Sequence, residues 1–416
     1  MRGSVRLISI SVAFVLITVL TPSSLAQTLQ VIYNFTGAQD GRYPVAGLSM
    51  DQAGNLYGTT VDGGAYGLGT VFKLSDRGSG WTLDPLYSFA GGKDGAHPYA
   101  KVVLGPGGSL YGTTNEQGNP GCYQGLGCGT VFNLRPPPRA CITALCTWIE
   151  TVLYRFTGGS DGGNPTRADL VFDRAGRLYG TTDYGGLQGC VTGYGCGVVY
   201  LVEPANGGWT EGVLYRFTGG SDGGNPGGGV IFDHAGNLYG TTSQFGTTNQ
   251  GTVYELTPAG TGWSENTLFD FQGEYGTGAV GSLVFDTYGD LFGATLWDNF
   301  DSPWYPGTLY EIANSCESWM LAYHYDFAFQ YPQGGMTMDA AGNLYGAASG
   351  NGELGVYGTI YKLTPSGGGW SFLTLHTFSD GSNPNSGLAL DGSGNIYGTT
   401  SDGGAYGYGE VWKITP

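Results

Sequence analysis

Positive charge and histidine are what this 416-residue chain has least of. Lysine and arginine number 16 against 33 aspartates and glutamates, and there are four histidines. The first 26 residues hold two of the basic side chains and no acid, leaving 14 basic against 33 acidic residues beyond them. A net charge of that sign argues against nucleic acid and anionic membrane surfaces as partners. It is compatible with cations, neutral sugars and basic proteins. Long apolar runs are missing after Leu20, so no membrane span is expected there. The histidines (His97, His234, His324, His376) lie far apart in sequence, which argues against a copper oxidase or a histidine-dependent lyase. A strand-to-helix nucleophile elbow and a phosphate loop are also missing. No residue is assigned a catalytic role.

One apolar run is present, at Leu7–Leu20. Arg2 and Arg6 precede it, and Ser24-Leu25-Ala26 follows as a small-x-small pattern. This reads as a secretory signal over residues 1–26, with residues 27–416 as the folded domain and a secreted, extracytoplasmic location. An uncleaved anchor is the competing reading. Export permits disulfides. Cys122 and Cys128 have the same spacing as Cys190 and Cys196, and Cys141 with Cys146 makes a third candidate pair. Cys316 is left over. A zinc site is the alternative, but no histidine is close to these cysteines in sequence.

Glycine is abundant, at 79 residues. It recurs at fixed places, as in Gly54-Asn55-Leu56-Tyr57-Gly58-Thr59-Thr60. The aromatic of this motif repeats at Tyr57, Tyr111, Tyr179, Tyr239, Phe292, Tyr345 and Tyr397, with spacings of 54, 68, 60, 53, 53 and 52 residues. Several short strands in each such unit define a β-propeller. Each unit reads as four strands: a short apolar one, Leu-Tyr-Gly-Thr-Thr, Thr-Val-Phe-Lys-Leu and Leu-Tyr-x-Phe. An Asp-x-x-Gly-Asn turn follows the first strand, and a turn ending in tryptophan follows the third. The glycine inside the second strand predicts close approach of another backbone. The last unit lacks its fourth strand, and Val31–Phe35 supplies one. The expected fold is therefore all-β: a seven-bladed propeller of four-stranded blades, closed by its N-terminal strand.

The unit Leu-Tyr-Gly-Thr-Thr, Gly-Gly, Gly-Thr-Val-Phe-Lys-Leu, Trp, Leu-Tyr-Ser-Phe, Asp-Gly-x-x-Pro resembles the GloVer tandem repeat of bacterial extracytoplasmic proteins. The resemblance covers nearly all of the chain after the signal and implies no catalytic residues. Relatives often end in a sorting or anchoring tail, and none follows Pro416, so release is the expectation. A looser likeness to kelch propellers rests on period and glycine pairs.

Strand order puts the second-to-third-strand loops and the blade connections on one rim, where function is expected. The connections repeat Asp-Gly-x-x-Pro through Asp40, Asp94, Asp161, Asp222 and Asp380. These carboxylates either cap their own turns or form a ring for cations or sugar hydroxyls. No cofactor is expected, with calcium on the aspartates of the Asp-x-x-Gly-Asn turns as the alternative. Before the first strand, five copies have Gly or Ser, whereas two have Lys101 and Asp169, with Arg167 nearby. They form either a structural ion pair or a polar ligand site at the channel mouth. The fifth repeat carries Trp297, Asp298, Asp301, Trp304 and Tyr305 in a long loop. These residues either stack on sugar rings or pack the loop down. The sequence thus points to a monomeric binding module for carbohydrate or a cell-envelope partner. A glycan hydrolase or lyase using rim carboxylates and a purely structural surface protein are the alternatives.

Overall fold

The computed structural model describes residues 27–122, 125–138, 147–187, 190, 193–273, 276–297, 307–315, 318–327, 330–350, 357–379 and 382–415, with the backbone alone for Trp297. Seven antiparallel sheets follow one another along the chain. In the first blade they are Ser49–Met50, Leu56–Thr60, Thr70–Asp76 and Trp81–Ser88, hydrogen-bonded in that order. In blades 4 and 6 the blade connection adds a short strand, Gly224–Pro226 and Gln330–Tyr331. No helix among the described residues is long and apolar enough to cross a membrane.

The ring closes as the repeat count requires. Thr28–Asn34 pairs antiparallel with Glu410–Thr415, from Thr28 opposite Thr415 to Asn34 opposite Glu410. The N-terminal strand is thus the outer strand of blade 7, and among the described residues every third strand is paired on both sides.

Two local expectations are corrected. The repeated tryptophans do not end a turn; they sit in the fourth strand, with Trp209 opposite Pro204 and Trp263 opposite Pro258. The second-strand glycine faces a ring and not a backbone. Gly58 lies opposite Phe72, and a Cβ on it would be 2.5 Å from Phe72 Cζ. The same relation joins Gly112 to Phe132, Gly180 to Tyr200, Gly240 to Tyr254, Gly293 to Tyr310, Gly346 to Tyr361 and Gly398 to Trp412. A large ring folded across its cross-strand neighbour needs that neighbour to lack a side chain.

Those rings also join the blades. The phenylalanine just after each of these fourth strands meets the third-strand aromatic of the next blade. Ring centroids are 5.2 Å apart for Phe89–Phe132, 5.0 Å for Phe156–Tyr200, Phe217–Tyr254 and Phe271–Tyr310, and 5.3 Å for Phe327–Tyr361. The core is therefore a set of seams between blades, each drawing residues from two repeats. The turns after the first strands are held by their aspartates. Asp51 accepts hydrogen bonds from Ala53 N, Asn55 N, Asn55 Nδ2 and Tyr57 Oη at 2.8–3.1 Å. These donors hold its carboxyl below the usual range despite burial.

Candidate functional site: the loop-rich rim

Blade connections and second-to-third-strand loops share one rim, and the structure laces them together. Arg42 bridges to Asp62, Ala96 to Glu116 and Gly163 to Tyr184. The Asp-Gly-x-x-Pro carboxylates serve this lacing. Asp40 is buried and accepts from Tyr33 Oη at 3.0 Å and from Thr36 N and Oγ1 at 2.8 and 2.6 Å. Asp161 and Asp222 repeat that pattern with Tyr154 and Thr157, and with Tyr215 and Thr218. Asp94 accepts from Tyr87 Oη and Ala90 N. Each carboxylate is engaged by its own loop. Asp380 lies outside the described residues.

The charged departures of blades 2 and 3 stand at the axis. Residues just before the first strands converge there, and a Cβ on Gly47 would lie 3.0 Å from Gly387 O. On Gly229 it would lie 2.3 Å from Asp169 O. Seven chains meeting at one point leave little room, which explains the small residues. Lys101 Nζ pairs with Asp169 Oδ2 at 3.0 Å, and Lys101 N donates to Asp169 Oδ1 at 3.1 Å. Arg167 and Asp169 line an axial cavity of about 80 Å³ together with Tyr99, Gln333 and Asn385. Arg167 and Tyr99 also line a neighbouring cavity of about 230 Å³ with Asp183, Ser243 and Gln244. Burial pushes Asp183 up to about 7, against a Thr166 hydrogen bond and the Arg167 charge.

Around this mouth the structure gathers side chains that sequence reasoning missed. His97 Nδ1 lies 3.0 Å from Asp62 Oδ1 and 3.0 Å from the Val61 carbonyl oxygen. Its Nε2 lies 3.7 Å from Glu116 Oε2, and Arg42 Nη2 sits 3.3 Å from Asp62 Oδ2. Burial raises the neighbouring Tyr99 hydroxyl, with Glu116 and Asp62 adding to the rise and Arg167 opposing it. The available signal was position: His97 precedes the proline of its Asp-Gly-x-x-Pro motif, where other copies have Tyr43, Asn164 and Asn225.

Further out on the rim, two disulfides form as the spacing predicts, Cys122–Cys128 and Cys190–Cys196, with Cα atoms 4.8 and 5.6 Å apart. The following blade connection packs on each. A Cβ on Gly158 would overlap Cys122 Sγ, and one on Gly219 would lie 2.7 Å from Cys190 Sγ. Beside the first disulfide lies a groove of about 480 Å³ lined by Ser160, Asn164, Tyr184, Leu187 and Tyr194. Exposed aromatics crown the same rim: Tyr66 at 64%, Tyr406 at 61% and Tyr194 at 41%. Tyr66 and Tyr406 occupy the same place in identical strings, Asp62–Gly67 and Asp402–Gly407.

Cys141, Cys146, Cys316 and the fifth-repeat residues Asp298, Asp301, Trp304 and Tyr305 lie outside the described residues, as does the side chain of Trp297. A cleft of about 860 Å³ is on the opposite rim between blades 3 and 4. Its aspartates, Asp173 and Asp233, are engaged in their own turns. Among the described residues, the carboxylates close enough to share a metal ion are Asp286, Asp290 and Glu311, whose oxygens lie within 4.8 Å of one another.

These features define a class: a disulfide-stapled, seven-bladed β-propeller built from tandem repeats. The chain belongs to the Gloeobacter/Verrucomicrobia repeat family, which matches at residues 17–188, 129–328 and 305–416. A sequence search finds no match among curated proteins. Among solved structures the chain is similar to the Pseudomonas aeruginosa periplasmic gluconolactonase PpgL, at 15% identity. That match covers 87% of this chain and 98% of that one, with a TM-score of 0.55. It is also similar to PorZ, a bacterial surface component of the type-IX secretion system of Porphyromonas gingivalis, at 15% identity and a TM-score of 0.51. This match covers 90% of the present chain, which spans 46% of the PorZ chain. At such identities the likeness is one of fold.

Proposed function

We propose that the protein is an extracytoplasmic binding module whose loop-rich rim recognises carbohydrate. The observation that carries this reading is the set of exposed tyrosines, Tyr66, Tyr194 and Tyr406, standing on the rim that holds the stapled groove. Aromatic faces take the apolar C–H surface of a sugar, while groups such as the exposed Ser160 take its hydroxyls. The two disulfides support export, since they persist in oxidising compartments. The periplasmic and surface settings named for the two similar structures agree with that location. Binding is favoured over glycan hydrolysis because Asp40, Asp94, Asp161 and Asp222 are all engaged by their own loops.

A glycan array probed with the wild type and with Tyr66→Ala, Tyr194→Ala and Tyr406→Ala tests the proposal. Retention of a glycan class by the wild type, weakened several-fold by at least one substitution without loss of fold, is the expected result. A wild type that retains no glycan overturns it. So does retention that survives all three substitutions.

A further inference from the structure

Blade 3 departs from the other repeats at the axis by one residue. Four residues separate Pro165 from Leu170, where three separate Pro44 from Leu48, Pro98 from Val102 and Pro226 from Val230. The insertion places Arg167 at a φ of +53°, a left-handed conformation that costs a non-glycine residue free energy. A strained, inserted cation at the mouth of the channel calls for a reason.

We propose that the axial mouth binds the carboxylate of an acidic sugar, with Arg167 as the anchoring cation. This rests on the carbohydrate reading above and names the class of sugar. The other cations of the mouth are committed, Lys101 to Asp169 and Arg42 to Asp62. Arg167 has no ion pair or hydrogen bond among the described residues; Asp183 and Tyr99 act on it through space. Arg167 reaches solvent where both axial cavities open, and the surrounding rim desolvates its guanidinium enough to hold it below its ordinary value. A planar guanidinium so placed can grip a carboxylate through two parallel hydrogen bonds.

The surroundings suit a sugar better than a bare anion. Asn385 lines the same cavity as Arg167; its Oδ1 is a buried acceptor without a partner, and its Nδ2 donates to Ser401 Oγ at 3.0 Å. A sugar hydroxyl would satisfy that oxygen, whereas a carboxylate would not. Ser243 and Gln244 add neutral hydrogen-bonding groups next to Arg167. Below them the convergence of Gly47, Gly229 and Gly387 narrows the channel, so one sugar residue enters from the rim and a polymer does not thread through. The strongly acidic chain would repel an anion elsewhere, so acceptance at this point depends on one dedicated cation.

The test is calorimetric titration of the mature protein with D-glucuronate and D-galacturonate, each against its neutral parent, D-glucose or D-galactose. The expected result is at least tenfold tighter binding of one uronate than of its parent. Arg167→Gln should abolish that preference with an unchanged melting temperature, and Arg167→Lys should retain part of it. Equal affinity for acid and parent overturns the inference, as does a preference that survives Arg167→Gln. Displacement of the uronate by an equal concentration of acetate also overturns it, because the site would then read charge alone. The carbohydrate reading fails separately, through the glycan array and the tyrosine variants. A glycan retained through Tyr66, without uronate preference, would leave that reading standing and remove this one.

Discussion

Phe35 meets Phe72 edge-on, with ring centroids 5.2 Å apart and both side chains fully buried. Phe35 follows the N-terminal strand that completes blade 7, and Phe72 lies in the third strand of blade 1. This contact therefore seals the seam where the two ends of the ring come together. Phe35→Ala is expected to cost about 3–5 kcal/mol, the usual price of emptying a buried phenylalanine site. Phe217→Ala, at an ordinary seam, is expected to cost a similar amount. Urea unfolding of both variants checks this. A Phe35→Ala cost well below that of Phe217→Ala would show that the closing seam contributes less than the others.

Tyr254 is expected to tolerate loss of its hydroxyl. The ring is fully buried, and its Oη has no partner among the described residues. Blades 1 and 2 carry phenylalanine at the same place, Phe72 and Phe132. Tyr254→Phe should be neutral or stabilising by up to about 1 kcal/mol, since it removes an unsatisfied buried group. Gly240→Ala should be clearly destabilising, because its Cβ would lie 2.4 Å from Tyr254 Oη and 2.6 Å from Cζ. Combining the two should recover part of the loss, because the nearest clashing atom is gone. Melting temperatures of the two single variants and the double variant measure that coupling.

The scaffold was legible in the sequence because it repeats, and the site was legible only where repetition fails. Seven second strands gave the blade number, and the missing fourth strand of the last repeat gave the closure. The second-strand glycine announced a close approach, but its partner ring depends on the register between Gly58 and Phe72, which spacing alone does not set. Lys101, Arg167 and Asp169 stood out as departures, and they do meet at the axis. Asp62, His97 and Glu116 did not stand out. Asp62 and Glu116 hold the same motif position in successive repeats, His97 comes from the connection between them, and the three meet only through the lacing of the rim loops. Tyr66 and Tyr406 were hidden by their regularity, because an identical string in two repeats reads as scaffold.

Stability should rise on mild acidification. Glu150, Glu211 and Glu265 each lie two residues after a tryptophan at or just before the start of a fourth strand. Burial pushes all three up to about 7 from the usual 4.5, and Asp94, Asp161 and Asp222 add to the rise. An acid whose value is raised by folding binds its proton more tightly in the native state, so stability falls as pH rises from about 4.5 through 7. Asp51, Asp173, Asp339 and Asp391 are lowered by folding. Their contribution is present above the ordinary carboxylate value and is lost only in stronger acid. The melting temperature should therefore be higher at pH 5.5 than at pH 8. The triple variant Glu150→Gln, Glu211→Gln, Glu265→Gln should flatten the difference, and an equal slope in that variant would rule these glutamates out as its source.

Asp290 should be more stable as asparagine. In the corresponding turns Asn55, Asn237, Asn343 and Asn395 donate Nδ2 to the turn aspartate at 2.6–2.9 Å. Tyr57, Tyr239, Tyr345 and Tyr397 add a hydroxyl to the same oxygen. Blade 5 loses both donors, with Asp290 replacing the asparagine and Phe292 the tyrosine. Asp286 instead faces a second carboxylate, and Glu311 brings a third within 4.8 Å. Burial, with Asp286 adding to it, raises the Asp290 carboxyl against the hydrogen bond from Asn314 N. Asp290→Asn replaces a repulsion with a hydrogen bond, a gain of roughly 0.5–1.5 kcal/mol at neutral pH. The gain should shrink in acid, where Asp290 takes up a proton and the repulsion is already relieved. Chemical denaturation of wild type and Asp290→Asn at pH 7.5 and pH 4.5 separates the two contributions. A gain of the same size at both values would assign it to the hydrogen bond alone.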